Sequence, residues 1–312
     1  VAYLTSDLLA GVKRRAQLPD ANGALSDADL LALGDIALRT ILVPHLRSVR
    51  EDYNVFTADQ TITADEADYP IPWRAETAGG LRDVRYLTDQ GDEISLPFVA
   101  LPDADAFVKV RNPWWSTPYA FTIQDTTIRL LPKPTQTTGT LRVLYYKRHG
   151  RLVATSDAGV ISALPGGNVA TLSASVTAFN ADAGPVSLTL DVVDPDPHFD
   201  IVCSKAATVD GTSVTFTATI DSGIAVGDYV TIEDQAAVIR LPVELHPVLE
   251  TATLMHTLEA LGDMQAMQAT QTILMAQLQA TRTLLEPRID GEPRTVVNNH
   301  SPLRRMRRGW RY

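Results

Sequence analysis

The spacing of apolar residues changes twice along this chain of 312 residues, and that change constrains the fold more than any single motif. At the beginning, Leu4, Leu8, Val12 and Ala16 recur at helical spacing. Lys13-Arg14-Arg15 close that stretch, where cations suit the helix dipole. Pro19-Asp20-Ala21-Asn22-Gly23 reads as a turn or loop. Ser26 is placed as the N-cap of a second helix, with Asp27 and Asp29 in its first turn. Leu30, Leu33, Ile36, Ala37, Ile41, Leu46 and Val49 continue it, and Pro44 is expected to kink it or end it early.

From about Tyr53 the period becomes two. Val55-Phe56-Thr57, Gln60-Thr61-Ile62-Thr63 and Asp68-Tyr69-Pro70-Ile71-Pro72 read as short extended segments. Stronger alternation follows in Leu81–Leu87, Ala120–Ile123, Thr127–Leu131 and Thr140–Tyr146, with a tight connection at Asp125. An antiparallel sheet of moderate size is expected. Residues from about 155 to 238 differ in composition, being rich in Ala, Thr, Ser, Val, Asp and Gly. Several short strands there, Val186–Leu190, Ser213–Ile220 and Tyr229–Ile232 among them, predict a small sandwich or barrel inserted into the rest. Helical spacing then returns from Leu241 to Glu286 as one long helix, with Gly262 as its weak point and Pro287 as its stop.

The reading is therefore α+β. Helices span 1–52, an antiparallel β region 53–154, an inserted all-β domain 155–239, a long C-terminal helix 240–287 and an extended basic arm 288–312. At about 150 residues per domain the length suggests two units. Cys203 is the only cysteine, which excludes a disulfide scaffold and fits a reducing cytosol. The start, Val1 to Thr5, lacks the features of a signal peptide, and no apolar run is long enough to span a bilayer. The net charge of −10 is uneven. Residues 152–239 carry Lys205 as their one base against 11 acids, whereas residues 288–312 carry 7 arginines and 2 acids. Such asymmetry marks inserted domains and interaction tails.

No catalytic constellation assembles. His45, His149, His198, His246, His256 and His300 are scattered and none forms a metalloprotease-type pair. Cys203 has no adjacent histidine in sequence to activate it and reads as a small buried hydrophobe. Pro165-Gly166-Gly167-Asn168 lacks the Lys-Ser/Thr of a phosphate loop and reads as a turn. Asp191, Asp194, Asp196 and Asp200 could offer oxygen ligands to calcium, but their spacing favours a polar surface loop. Trp114-Trp115 could stack a ligand, or cover a core edge or subunit contact. No cofactor and no metal are expected. From Met264 to Thr281 there is no charge, and Gln265, Gln268, Gln271, Gln277 and Gln279 supply the polar face. A solvated single helix usually carries salt bridges, so this face suggests contact with protein. Arg304, Arg305, Arg307, Arg308, Trp310, Arg311 and Tyr312 form an end of the kind that orders on a partner.

The order of these elements carries a resemblance. Leu8-Leu9-Ala10-Gly11-Val12-Lys13-Arg14-Arg15, Asp68-Tyr69-Pro70-Ile71-Pro72 and Leu81-Arg82-Asp83-Val84-Arg85-Tyr86-Leu87 contribute to it. So do Ile128-Arg129-Leu130-Leu131-Pro132-Lys133-Pro134, Leu141-Arg142-Val143-Leu144-Tyr145-Tyr146-Lys147-Arg148, the last helix and the Arg-rich end. The chain resembles head-to-tail adaptor (connector or neck) proteins of tailed bacteriophages, short-tailed ones especially, over all but residues 155–238. The resemblance implies a non-enzymatic virion protein, assembled in the host cytoplasm. It would form a homo-oligomeric ring, commonly of twelve copies, between the portal protein and the tail tube or nozzle. Such a ring extends the DNA channel, meets DNA transiently and has no membrane contact. Met264, Gln268, Gln271, Leu274 and Leu278 would face neighbouring subunits, and the arginine-rich arm would dock on the portal, with DNA phosphate as its competing target. The acidic insert would point outward, toward tail or fibre. Two other readings stand beside this one: a tail or baseplate protein whose insert binds fibres, and a carbohydrate-binding module built on Trp114, Trp115 and the aspartates.

Overall fold

The computed structural model describes residues 2–17, 25–76, 80–104, 118–137, 139–180, 184–195, 201–220 and 223–285. The Pro19–Gly23 turn, Trp114, Trp115, Asp196, Asp200 and the basic arm 288–312 lie outside the described residues. The molecule is α+β: helices, antiparallel sheets and a closed barrel of six strands.

The helical part forms where the apolar spacing requires it. Helix α1 (Thr5–Ala16) buries Leu8 and Val12 and ends with Lys13, Arg14 and Arg15 in its last turn. Helix α2 (Asp27–Ala37) opens on a reciprocal cap, in which the Ser26 hydroxyl accepts from the Asp29 amide and the Asp29 carboxylate accepts from the Ser26 amide. Pro44 neither stops nor shortens the helical path. A π-helical turn over Leu38–Leu42 leads directly into α3 (Val43–Val49), with Pro44 near the start of α3. A wide turn relieves the clash that a proline ring makes with the carbonyl four residues back.

The C-terminal stretch is two helices rather than the one long helix expected. Helix α4 (His246–Leu261) ends at Gly262, whose φ of 80° is the left-handed conformation glycine adopts freely. The Gly262 and Asp263 amides close on the Glu259 and Leu258 carbonyls. The Asp263 carboxylate then accepts from the Ala266 amide and starts α5 (Met264–Leu285). Helix α5 folds back along α4, and its far end reaches α3, where Thr281 Oγ1 lies 3.5 Å from His45 Nε2. Leu8, Leu30, Leu42, Leu46, Leu245, Leu249 and Leu274 share one core. Gly11 lets α1 approach α4 closely, because a Cβ there would sit 2.5 Å from the Glu250 carboxyl carbon. That carboxylate accepts from the Tyr3 hydroxyl and pairs with Arg15.

The β region divides into two sheets where a single one was expected. Strands β1 (Val55–Thr61), β3 (Leu81–Leu87), β4 (Glu93–Ser95) and β7 (Thr140–Tyr146) form a four-stranded sheet in the order β1-β7-β3-β4. Strands β2 (Asp68–Pro70), β5 (Ala120–Gln124) and β6 (Thr127–Leu131) form a second in the order β2-β6-β5. The expected tight connection between β5 and β6 holds Asp125 at φ 54°. Prolines at 70 and 72 explain the division, since neither can donate to a continuing ladder. Tyr69, Phe121, Ile128 and Leu130 of the smaller sheet share a core with Val84, Tyr86, Leu141 and Val143 of the larger.

The chain passes through β8 (Arg151–Leu152) into the barrel. Its strands are β9 (Gly159–Gly166), β10 (Val169–Leu172), β11 (Val186–Val193), β12 (Ile201–Asp210), β13 (Ser213–Phe216) and β14 (Tyr229–Ile232), in the closed order β10-β13-β12-β11-β14-β9. Phe179, Phe216, Ile161, Leu190, Val209 and Val230 fill it. Alternation along the strands sends all but Phe179 inward, Phe179 coming from the short 3-10 turn Thr177–Phe179, and closure removes the unpaired edges of an open sheet. The returning strand β15 (Gln235–Ala236) pairs in parallel with β8. Beyond it, the Thr5 amide donates to the Ala237 carbonyl and the Ile239 amide to the Tyr3 carbonyl. The barrel therefore leaves and rejoins the remainder at one place, beside the first residues of α1.

Candidate functional site

Two places combine features that packing alone does not require: the joint beneath the barrel, and the outward sides of α5.

At the joint, Arg74 and Asp191 form an ion pair with almost no solvent access, the residues being 4% and 2% exposed. Asp191 lies on β11, not on a surface loop, which corrects the expectation from its aspartate-rich surroundings. Its carboxylate also accepts from the Ser204 amide at 2.8 Å and the Asp234 amide at 3.3 Å. Arg148 reaches Asp234 at 3.2 Å, and the guanidinium groups of Arg74 and Arg148 both lie against Trp73. Lys147 and Arg240 approach Phe56 at 5.0 and 5.7 Å. A buried carboxylate is tolerated only when charge and hydrogen bonds compensate it, and Asp191 has both. Arg74, Lys147, Arg148, Asp191 and Arg240 line a cavity of about 40 Å³. His149 lines it with Nε2 sealed from solvent. Burial pushes the His149 pKa down to about 3, and the positive charges of Arg240, Arg47, Lys147 and Arg39 act in the same direction. Tyr53 donates its hydroxyl to the Arg240 carbonyl, and burial pushes its pKa up to about 12. The sequence gives no local sign of this joint, because Arg74 and Asp191 are 117 residues apart.

Helix α5 is the opposite case. Thr270, Leu274, Thr281 and Leu285 are buried, and Leu278 packs against the same core. Of the five residues expected to meet another subunit, Leu274 and Leu278 therefore face the chain's own interior, whereas Met264, Gln268 and Gln271 are exposed. Further apolar side chains project outward: Ile273 at 55%, Met275 at 61% and Leu284 at 65% exposure. The helical spacing of the sequence could not separate the inward side from the outward ones, because both carry apolar residues. The outward sides of the helix carry no charge between Met264 and Thr281.

Elsewhere the surface is conventionally charged. Across the four-stranded sheet Arg142 pairs with Asp59 and Glu93, and Arg85 with Asp83 and Glu93. Hydrogen bonds from these arginines hold the Asp59 and Glu93 carboxyls below their ordinary range. Beside the smaller sheet an open groove of about 750 Å³ is lined by Pro70, Ile71, Trp73 and Ile123. His45 has its pKa lowered by burial, His246 stacks on Tyr3 at 4.0 Å, and His256 lies 3.4 Å from Glu259. Among the described residues no three or more His, Cys, Asp or Glu side chains converge as metal ligands. No described helix is long and apolar enough to cross a membrane. Trp114, Trp115 and the seven arm residues Arg304, Arg305, Arg307, Arg308, Trp310, Arg311 and Tyr312 lie outside the described residues.

Comparison with known families agrees with this picture of a protein built for contact. No curated protein matches the chain. The SU10 adaptor protein family matches residues 4–187, a span that holds α1–α3, both sheets and the barrel as far as β11. It covers the segments from Leu8 to Arg148 that carried the resemblance, extends into the barrel region that the resemblance left out, and stops before the last helices and the Arg-rich end. With well over half its residues matched, the chain belongs to the SU10 adaptor protein family, a phage structural adaptor.

Proposed function

We propose that this protein is a head-to-tail adaptor of the short-tailed type, located at the virion neck. About twelve copies form a ring between the portal protein and the tail tube or nozzle, extending the DNA channel. The observation that carries this reading beyond the family is the uncharged, apolar and exposed outer surface of α5. A monomer gains nothing from such a surface, whereas repeated copies cover it. Residues 1–52, 53–154 and 240–287 make the body of each subunit, and residues 155–239 form an inserted unit. The acidic insert points away from DNA, toward tail or fibre, since like charge repels the phosphate backbone. Residues 288–312 form the arm, and Arg304, Arg305, Arg307, Arg308, Trp310, Arg311 and Tyr312 dock on acidic side chains of the portal. Each arm contributes modest affinity that the ring multiplies through effective concentration. Contact with DNA in the channel stays loose and transient.

Native mass spectrometry and negative-stain imaging, with and without the cognate portal, test this reading. Full-length protein is compared with a chain cut after Pro287. A ring on the portal that the cut weakens is the expected result. A monomer that ignores the portal in both forms would overturn the proposal and bring the tail or baseplate reading forward.

A further inference from the structure

Helix α5 has two exposed sides, one on each side of the stripe it buries, and both are uncharged from Met264 to Thr281. Residues three or four apart follow one side of a helix. On one side these steps give Met264, Gln268, Gln271, Met275 and Gln279; on the other, Ala269, Ile273, Ala276, Ala280 and Leu284. All ten are exposed. The first side is long and flexible. The second is low, with Ile273 and Leu284 standing among alanines.

Resting on the ring reading above, we infer that α5 makes a head-to-tail contact between copies of this chain, the methionine and glutamine side of one copy seating on the alanine side of the next. A closed ring requires each subunit to present two different surfaces that fit each other, and these two sides differ in the complementary sense. Alanines let a second helix approach closely, while unbranched methionines fill the uneven space above them. Neither side has a charge between Met264 and Thr281; Arg282 follows Gln279 at the end of the first side, where it can keep its hydration, so the uncharged stretch would leave no ion buried without a counter-ion. Glutamine both donates and accepts, so a row of them stays hydrogen-bonded against backbone or its own kind. A charged partner surface would lose its hydration on this helix with nothing to replace it. The uncharged stretch Met264–Thr281 of α5 gives a contact about 27 Å long.

Thiol cross-linking in the full-length Cys203→Ser background tests the assignment. Three chains are compared on the portal: Ile273→Cys, Met275→Cys and both together. Within one helix these positions lie two residues apart and point to opposite sides, so they cannot be bridged inside one chain. With a short bismaleimide, the expected result is a ladder of covalent multimers for the double variant and monomer for each single variant. Circular dichroism confirms that each variant keeps its helices. Self-linking by either single variant would show a contact between like sides and overturn the inference. A ring visible by imaging, with no ladder from the double variant, would overturn the role of α5 and leave the adaptor reading standing. If no ring forms on the portal even without substitutions, the adaptor reading fails and this inference falls with it.

Discussion

Arg74–Asp191 at the barrel joint and Arg129–Asp68 across the smaller sheet are the same chemical pair in opposite surroundings. The first is almost fully removed from water. The second is bidentate, with contacts of 2.7 and 3.0 Å, but its side chains are 40% and 43% exposed. Geometry alone would rank the exposed fork at least as highly. Burial reverses that order, because removing one partner of a buried pair strands a charge that water cannot reach, whereas an exposed partner simply hydrates. The two pairs also connect different things. Asp68 and Arg129 are direct neighbours in an existing ladder, whereas Arg74 and Asp191 join the barrel to the remainder of the molecule.

Breaking the buried pair should have the largest effect. Arg74→Ala is expected to cost about 3–5 kcal/mol. It should also separate barrel unfolding from that of the helices and sheets, which hydrogen exchange resolved by segment along a denaturant titration would detect. Arg74→Met combined with Asp191→Leu should recover part of that loss, since an apolar pair of similar size removes the stranded charge but takes the acceptor from the Ser204 and Asp234 amides. Should the single substitution behave like a surface change, the joint is not held in the way described.

A second test uses pH. His149 has a folded pKa of about 3 against an ordinary value of 6.5. Between those values the unfolded chain binds the proton and the folded one does not, so stability falls as pH falls. The slope attributable to this group is up to about 1.4 kcal/mol per pH unit, fully lost only as pH approaches the folded pKa. His149→Gln should remove that dependence between pH 6.5 and 5, above the main carboxylate titrations. An unchanged slope in urea midpoints would mean that His149 is hydrated when charged.

The joint also shows where sequence reading reaches its limit. Helix α1, the Ser26 cap, the β5–β6 hairpin and an all-β unit near residues 155–239 were legible because each depends on spacing or turn chemistry within a few residues. Gly262 was legible as a weak point, but not as a reversal. Whether a helix continues past glycine depends on what its next turn can pack against, here the core that Leu274 and Leu285 enter. Pro44 was legible as a disturbance of the helix, but not as the π-helical turn over Leu38–Leu42 that carries the chain past it. Asp191 was read among its neighbours in sequence, but its partner comes from another part of the chain. On α5 the expectation of an outward surface included Leu274 and Leu278, which enter the chain's own core, because spacing reports a stripe without saying which stripe meets the interior.

The smallest expected effect sharpens the opening comparison. Arg129→Ala removes both hydrogen bonds to Asp68, yet should cost only about 0.2–1 kcal/mol, the range of exposed pairs. The Arg129 hydrogen bonds hold the Asp68 carboxyl below its ordinary range. The pair's contribution is therefore present above the ordinary carboxylate pKa and disappears as pH falls through the lowered one. Salt should weaken it as well, because both groups face solvent and screening acts over about 10 Å at 0.1 M ionic strength. Comparing Arg129→Ala with Arg74→Ala in low and high salt separates the two environments directly. The first difference should shrink toward zero in high salt, and the second should persist, since ions cannot enter between Arg74 and Asp191. Equal salt sensitivity in the two variants would show that the joint admits solvent, and that the barrel is held by the β8–β15 pairing and its flanking backbone hydrogen bonds instead.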